Sequence, residues 1–205
     1  MPKIVDHDER RIELVQALWR VVERDGSAAI SIRHVAAEAG LSKSAVSHYF
    51  PTRFSMLAAA VDELSRNVYA KVDALDLDDG HIETACEAIM AAIPDSRARR
   101  KQSEVWILLV TEGQTDPEIR KLLAELDREV ARGVSAFLRR LKKSGLVNPS
   151  RDIEFETARL HALIDGISLH TLHSPVGMPP KRIRQIVTEH LRELAAAPSA
   201  VVGSR

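Results

Sequence analysis

Cysteine occurs once in this sequence, as Cys86, so no disulfide can form within the chain and a reducing cytoplasm is the expected setting. Net charge is also missing, because 29 basic residues balance 29 acidic ones. That balance argues against indiscriminate binding of polyanions, although a local basic face would still suffice for a protein that reads DNA through a few contacts. Long apolar runs are absent too. The longest, Val105 to Val110, is far too short to span a bilayer, and the opening MPKIVDHDERR lacks the apolar core of a secretory signal. No membrane partner is expected. Internal repeats are missing as well, and the period-two alternation that marks half-buried strands is hard to find.

What is present is helical periodicity in nearly every segment, which predicts an all-α fold of about nine helices. The first helix runs from about Asp8 to Asp25 with Ile12, Val15, Trp19 and Val22 as its apolar stripe, and Gly26 sits where a C-terminal glycine cap belongs. Ser31 caps a second helix that turns Val35, Ala36 and Ala39 inward and ends at Gly40. Ser42 caps a short third helix through Tyr49, which Pro51 stops. A long fourth helix opens at Thr52 and continues to about Leu75. Further helices are expected at about 81–93, 101–113, 117–144, 151–173 and 180–196, with Asp116-Pro117 as a clear start signal. By periodicity alone Val105 to Val110 fits a buried strand equally well; the helical reading prevails because a lone strand would have no partner. The expected division is a DNA-binding domain over 1–53, a ligand-binding and dimerisation domain over 54–197, and a disordered tail over 198–205.

The segment from Ser31 to Arg53 has the mechanics of a helix-turn-helix. A first helix is packed by small residues, a glycine allows a tight turn, and a short second helix leaves its outer face free for the major groove. Val46 is expected to point inward, whereas Lys43, Ser44, Ser47 and His48 lie on or near the outer side. Ser31, Tyr49 and Arg53 flank the reading helix, where they can hold phosphates and fix register. Arg33, Lys43 and Arg53 outweigh Glu38 in this segment, giving a local excess of two positive charges in a neutral chain.

The ordered pattern S-I-x-x-V-A-x-x-A-G from Ser31, L-S-x-S-A-V-S-H-Y-F from Leu41 and P-T-R-F-S-M-L from Pro51 closely resembles the DNA-binding domain of the TetR family. The resemblance implies a homodimeric regulator, usually a repressor, that binds a palindromic double-stranded operator and releases it on binding a small-molecule effector. It makes Arg33, Lys43, Ser44 and Ser47 candidate base or groove contacts, and Ser31, Tyr49 and Arg53 phosphate contacts. Many members carry tyrosine at the position of Ser47 and lysine at that of Arg53; the serine removes an aromatic contact and alters the operator expected. Ser47 to Phe50, with Ala162 to Gly166, is similar to the betaine- and choline-responsive repressor subgroup.

Residues after Arg53 carry weaker chemical signals. Met90, Trp106, Phe137, His161 and Asp165 are candidate ligand-pocket residues, with His161 and Asp165 one helical turn apart; a core aromatic and a simple helical pair are the bland alternative. Leu160, Leu163, Ile164 and Ile167 in one helix, and Ile183, Ile186, Val187, Leu191 and Leu194 in the next, form apolar surface in excess of one face and are the candidate dimer interface. Cys86, His161, His170 and His173 lack the second cysteine of a zinc pattern, so no metal or other cofactor is expected. An enzyme built on His161, Asp165 and Ser168 would lack oxyanion donors on its single helix face. The remaining rival is a helical adaptor that binds proteins and not DNA.

Overall fold

A computed structural model of the chain describes residues 7–197; the tail expected over 198–205 lies outside them. Nine α-helices and one 3-10 turn account for the regular structure of the described residues, and no strand occurs among them. They are α1 (His7–Asp25), α2 (Ile32–Glu38), α3 (Lys43–Tyr49), α4 (Arg53–Asp73), α5 (Ile82–Ala92), α6 (Arg97–Glu112), α7 (Pro117–Lys143), α8 (Ile153–His173) and α9 (Pro180–Ala195). The 3-10 turn, Ser27–Ala29, follows Gly26, whose φ of 86° is the left-handed conformation that glycine adopts without a Cβ penalty.

The chain divides into two compact units, Met1–Arg66 with Ser96–Leu126 and Asn67–Asp95 with Asp127–Arg205. This division differs from the boundary expected after Arg53. Val105 and Leu109 of α6 and Ile119 of α7 are buried in the same core as α1 to α3, so the first unit recruits helices well beyond the helix-turn-helix. Val105 to Val110 is helical, and the strand alternative falls away. The helix starts four residues earlier than expected, because Ser96 accepts a hydrogen bond from the Arg99 backbone N–H and caps it.

Leu14, Leu18, Val21, Val35, Val46, Phe50, Met56 and Leu57 fill the centre of the first unit. The stripe expected on α1 is rotated from the real one. Ile12 is exposed, and Trp19 is only half-buried with its indole N–H donated to Glu63 at 2.8 Å. The core of the second unit combines Ile89 and Ile93, Leu138 and Leu141 of α7, Leu160 of α8, and Ile183, Val187, Leu191 and Leu194 of α9. Helix α9 packs on α5, and that packing consumes much of the apolar surface expected to bind a second subunit.

Candidate functional site

The reading head is assembled by local hydrogen bonds that its sequence dictates. Ser31 Oγ accepts from the His34 N–H and Ser42 Oγ from the Ala45 N–H, both at 3.1 Å, so each short helix has a capped start. Gly40, at φ 66°, closes α2: its N–H donates to Ala37 O and the Leu41 N–H donates to Ala36 O. This paired return of N–H groups is the Schellman arrangement, and it sets the entry into α3. Val46 anchors α3 by burying its whole side chain, and Phe50 follows it into the core. The anchors fix the helix from one side only. Lys43, Ser44 and His48 are exposed on the other side, Arg33 is exposed on α2, and Ser47 is half-buried.

The flanking residues are less free than the sequence suggests. The Arg53 guanidinium donates to Ile30 O at 2.8 Å and to Glu112 Oε1 at 2.7 Å, at the C-terminal residue of α6. The backbone carbonyl of Tyr49 accepts from Arg11 at 2.9 Å, while the same guanidinium lies 4.6 Å above the Phe50 ring. Arg11 therefore staples the end of α3 to α1. Sequence reasoning misses it because nothing in its spacing points thirty-eight residues ahead. Glu38, counted against the local positive charge, is captured by Arg24 at 2.7 Å and Arg20 at 2.8 Å. Those two arginines, Arg24 foremost, hold its carboxyl below the usual range.

In the second unit a cavity of about 120 Å³ opens between α4, α5, α7 and α8. Its walls are apolar, from Val72, Ile89, Val134, Phe137 and Ile164 among others, and its polar groups are Tyr69, His161 and Asp165. His161 lies 3.7 Å from Asp165 and 3.9 Å from Asp127. Burial pushes the Asp165 carboxyl up from its ordinary value, against a pull from His161, and Asp127 adds to the rise. The Tyr69 ring packs directly on the backbone of α7 at Gly133, where an added Cβ would stand 2.7 Å from its Cε1. Tyr69 and Gly133 carry no sequence signal of this role, since their contact joins helices distant along the chain.

Of the five candidate ligand residues, Phe137, His161 and Asp165 line this cavity, whereas Met90 is buried in the surrounding core without lining it. Trp106 is not part of it: α6 belongs to the first unit, and the indole packs against that unit's core. The candidate interface residues also need correction. Leu160, Ile167, Ile183, Val187, Leu191 and Leu194 are buried within their own subunit, and a side chain already covered offers no area to a partner. Leu163, Ile164 and Ile186 keep some exposure, though Ile164 also lines the cavity. The large apolar side chains that α8 exposes are Phe155 and Leu169.

A capped, glycine-turned pair of short helices with one buried anchor and a polar outer face defines a helix-turn-helix DNA-binding protein. The chain matches the family model for bacterial regulatory proteins of the tetR family over residues 14–60, and that for the C-terminal domain of BetI-type transcriptional repressors over residues 82–196. It is 28% identical to the HTH-type transcriptional regulator PksA of Bacillus subtilis (strain 168), covering 95% of this chain and 94% of that protein. A transcriptional regulator from Rhodococcus sp. Rha1 superposes with a TM-score of 0.73 at 25% identity, over 92% of this chain and 99% of that one. The multidrug binding protein EbrR, complexed with imidazole, has a TM-score of 0.68 at 25% identity over 95% and 94% of the two chains. This chain belongs to the TetR family and carries a BetI-type repressor C-terminal domain. It is a DNA-binding transcriptional regulator and not an enzyme, and the adaptor reading gives way. TetR regulators bind DNA and small-molecule effectors and are typically dimers. Among the described residues no helix is long and apolar enough to cross a membrane.

Proposed function

We propose that this chain is a repressor that binds a near-palindromic operator as a homodimer and releases it when a small organic cation enters the cavity lined by Tyr69, Phe137, His161 and Asp165. The observation that carries the DNA-binding half is the outer face of α3, where Lys43, Ser44 and His48 are held exposed by a buried Val46. Arg33, Lys43, Ser44, Ser47 and His48 read base edges; Ser31, Tyr49 and Arg53 hold phosphates. The Ser31 hydroxyl, already an acceptor for His34, still has its own proton to donate to a phosphate oxygen. Arg53 exchanges Glu112 for phosphate, one carboxylate partner for another anion.

The effector class follows from the cavity. Its space of about 120 Å³ is small beside the 300–1,000 Å³ typical of ligand pockets, which favours a compact molecule. Aromatic walls from Tyr69 and Phe137 with a carboxylate at Asp165 suit a cationic head group. The BetI-type C-terminal domain and a relative that takes imidazole point the same way, and choline, the effector class of the resembling subgroup, is the first compound to try. Helix α4 carries both Arg53 and Tyr69. A ligand that displaces Tyr69 therefore acts on the helix that presents a phosphate contact, and shifts the population toward a conformer that fits DNA less well.

The test is to incubate the purified protein with a randomised duplex library at physiological salt and sequence what it retains. An enriched inverted repeat supports a dimeric DNA reader and supplies the operator on which choline and imidazole are titrated. An effector that binds tightly yet leaves operator affinity unchanged overturns the release mechanism, because coupling between two sites is reciprocal.

A further inference from the structure

The first unit contains a groove of about 1010 Å³, far larger than the cavity of about 120 Å³ in the second unit. It runs between the N-terminal half of α1, the N-terminal part of α4 and the start of α7, all of which belong to the first unit. Its floor is apolar, made of Ile12, Val15, Phe54, Ile119, Leu122 and Leu126. Ile12 is the one large apolar residue of the first unit that stands exposed among the described residues, at 45%. A concave apolar floor with polar groups at its edge is the usual build of a small-molecule site, and this one reaches the top of the roughly 300–1,000 Å³ range of such sites.

The edge of the groove is acidic. Five carboxylates border it, Asp8, Asp62, Glu63, Asp116 and Glu118, against three guanidiniums, Arg11, Arg53 and Arg66. Each guanidinium is already engaged: Arg11 with Tyr49 O and the Phe50 ring, Arg53 with Ile30 O and Glu112, and Arg66 with Asp62 at 3.3 Å. The Glu118 side chain, by contrast, is exposed and has no partner among the described residues. This excess of negative charge disfavours a nucleic acid or any other anion as the occupant. Phe54 supplies an aromatic face, and it already receives one cation, because the Arg53 guanidinium carbon lies 5.9 Å from its ring centroid.

We infer that this groove is a second small-molecule site, built into the DNA-binding unit, that takes a bulky organic cation with its apolar body on Ile12, Phe54, Leu122 and Leu126 and its charge toward Glu118 and Asp62. It is distinct from the cavity of Tyr69, Phe137, His161 and Asp165 in unit and in size, since a guest that fills the groove is too large for a space of about 120 Å³. Its walls include Arg11, which staples the end of α3, and Arg53 at the start of α4. An occupant therefore meets the elements that position the reading head directly, without passing through the second unit.

The experiment is isothermal titration calorimetry on the full chain without DNA, with tetraphenylphosphonium and its isosteric anion tetraphenylborate as probes. The two ions share shape and apolar area and differ in the sign of their charge, so the pair separates charge preference from simple greasiness. Tetraphenylphosphonium is expected to bind once per chain and about tenfold or more tighter than tetraphenylborate. Ile12→Lys sets a cation on the floor of the groove and is expected to weaken that binding by about tenfold or more. Glu118→Gln removes one exposed charge and is expected to weaken it about 1.4- to 5-fold. Asp165→Asn, in the other cavity, is expected to leave it unchanged. Ile12 and Glu118 are both exposed, so far-UV circular dichroism is expected to show the variants folded. Absence of tetraphenylphosphonium binding, equal binding of the two ions, or binding that survives Ile12→Lys and Glu118→Gln overturns the inference. So does binding that falls in Asp165→Asn and not in Ile12→Lys, which would assign the cation to the second unit.

Discussion

Glu112→Gln tests the proposal that Arg53 exchanges its carboxylate partner for an operator phosphate. The ion pair is short at 2.7 Å, and both side chains keep about a quarter of their surface, 27% and 28%. A pair this accessible is screened by water, and exposed pairs contribute about 0.2–1 kcal/mol. Arg53 must give up that contribution before it reaches a phosphate. Neutralising Glu112 removes the competitor while Ile30 O still holds the guanidinium in place, so operator affinity is expected to rise roughly 1.4- to 5-fold per subunit, or about 2- to 30-fold for two subunits bound together. Fluorescence anisotropy on the enriched operator measures this. Because the number of neutralised phosphates is unchanged, the dependence of log affinity on log salt should keep its slope. Arg53→Ala behaves oppositely: it lowers affinity on every sequence and reduces the slope by about 0.9 for each phosphate no longer neutralised, about 1.8 per dimer. From 50 to 200 mM salt that difference compounds to roughly twelvefold. If Glu112→Gln leaves affinity unchanged and Arg53→Ala leaves the slope unchanged, Arg53 is a structural staple between α4 and α6 and touches no phosphate.

Other consequences can be checked with the same material. Lys43→Ala should change base preference at one operator position, with a cost of about 1–3 kcal/mol confined to that base pair, as read by a repeat of the library enrichment. Asp165→Asn should weaken choline binding measured by calorimetry while operator affinity without effector stays as in the wild type. Gly133→Ala drives a methyl into Tyr69, so effector-induced release should require a higher effector concentration or be lost, with DNA binding retained. Lowering pH destabilises the second unit through His190. Burial holds its folded pKa below the ordinary value of 6.5, so its contribution is intact above about pH 6.5 and erodes as pH falls from there toward the folded value. Melting curves should show this slope in the wild type and a flatter one in His190→Gln.

The helix-turn-helix is legible in the sequence because its information is local. Ser31 and Ser42 as caps and Gly40 as the turn depend on neighbours within five residues. Asp116-Pro117 is legible for the same reason, and Asp116 indeed caps the Glu118 N–H at 2.9 Å. What escapes is set by packing between distant segments. The apolar stripe of α9 is a strong periodic signal, but periodicity says only that a face is buried. It cannot say that Ile183, Val187, Leu191 and Leu194 pack within the subunit and not across an interface. Trp106 suggests a pocket wall because large aromatics line pockets, yet the fold gives α6 to the other unit. Arg53 looks free in the sequence because its partner, Glu112, lies fifty-nine residues away.

Helix α3 is only seven residues long, and Val46 is its sole fully buried side chain. A peptide of that length would not be helical alone. Its shape is imposed by Ser42, Gly40 and the core beneath it, so the residues on its outer face contribute little to folding. Lys43, Ser44 and His48 can therefore be exchanged as a cassette with little risk to the scaffold. Duplicated copies of such a gene could diverge to new operators by a handful of substitutions, while the sensor and the dimer contacts remain under their own separate selection.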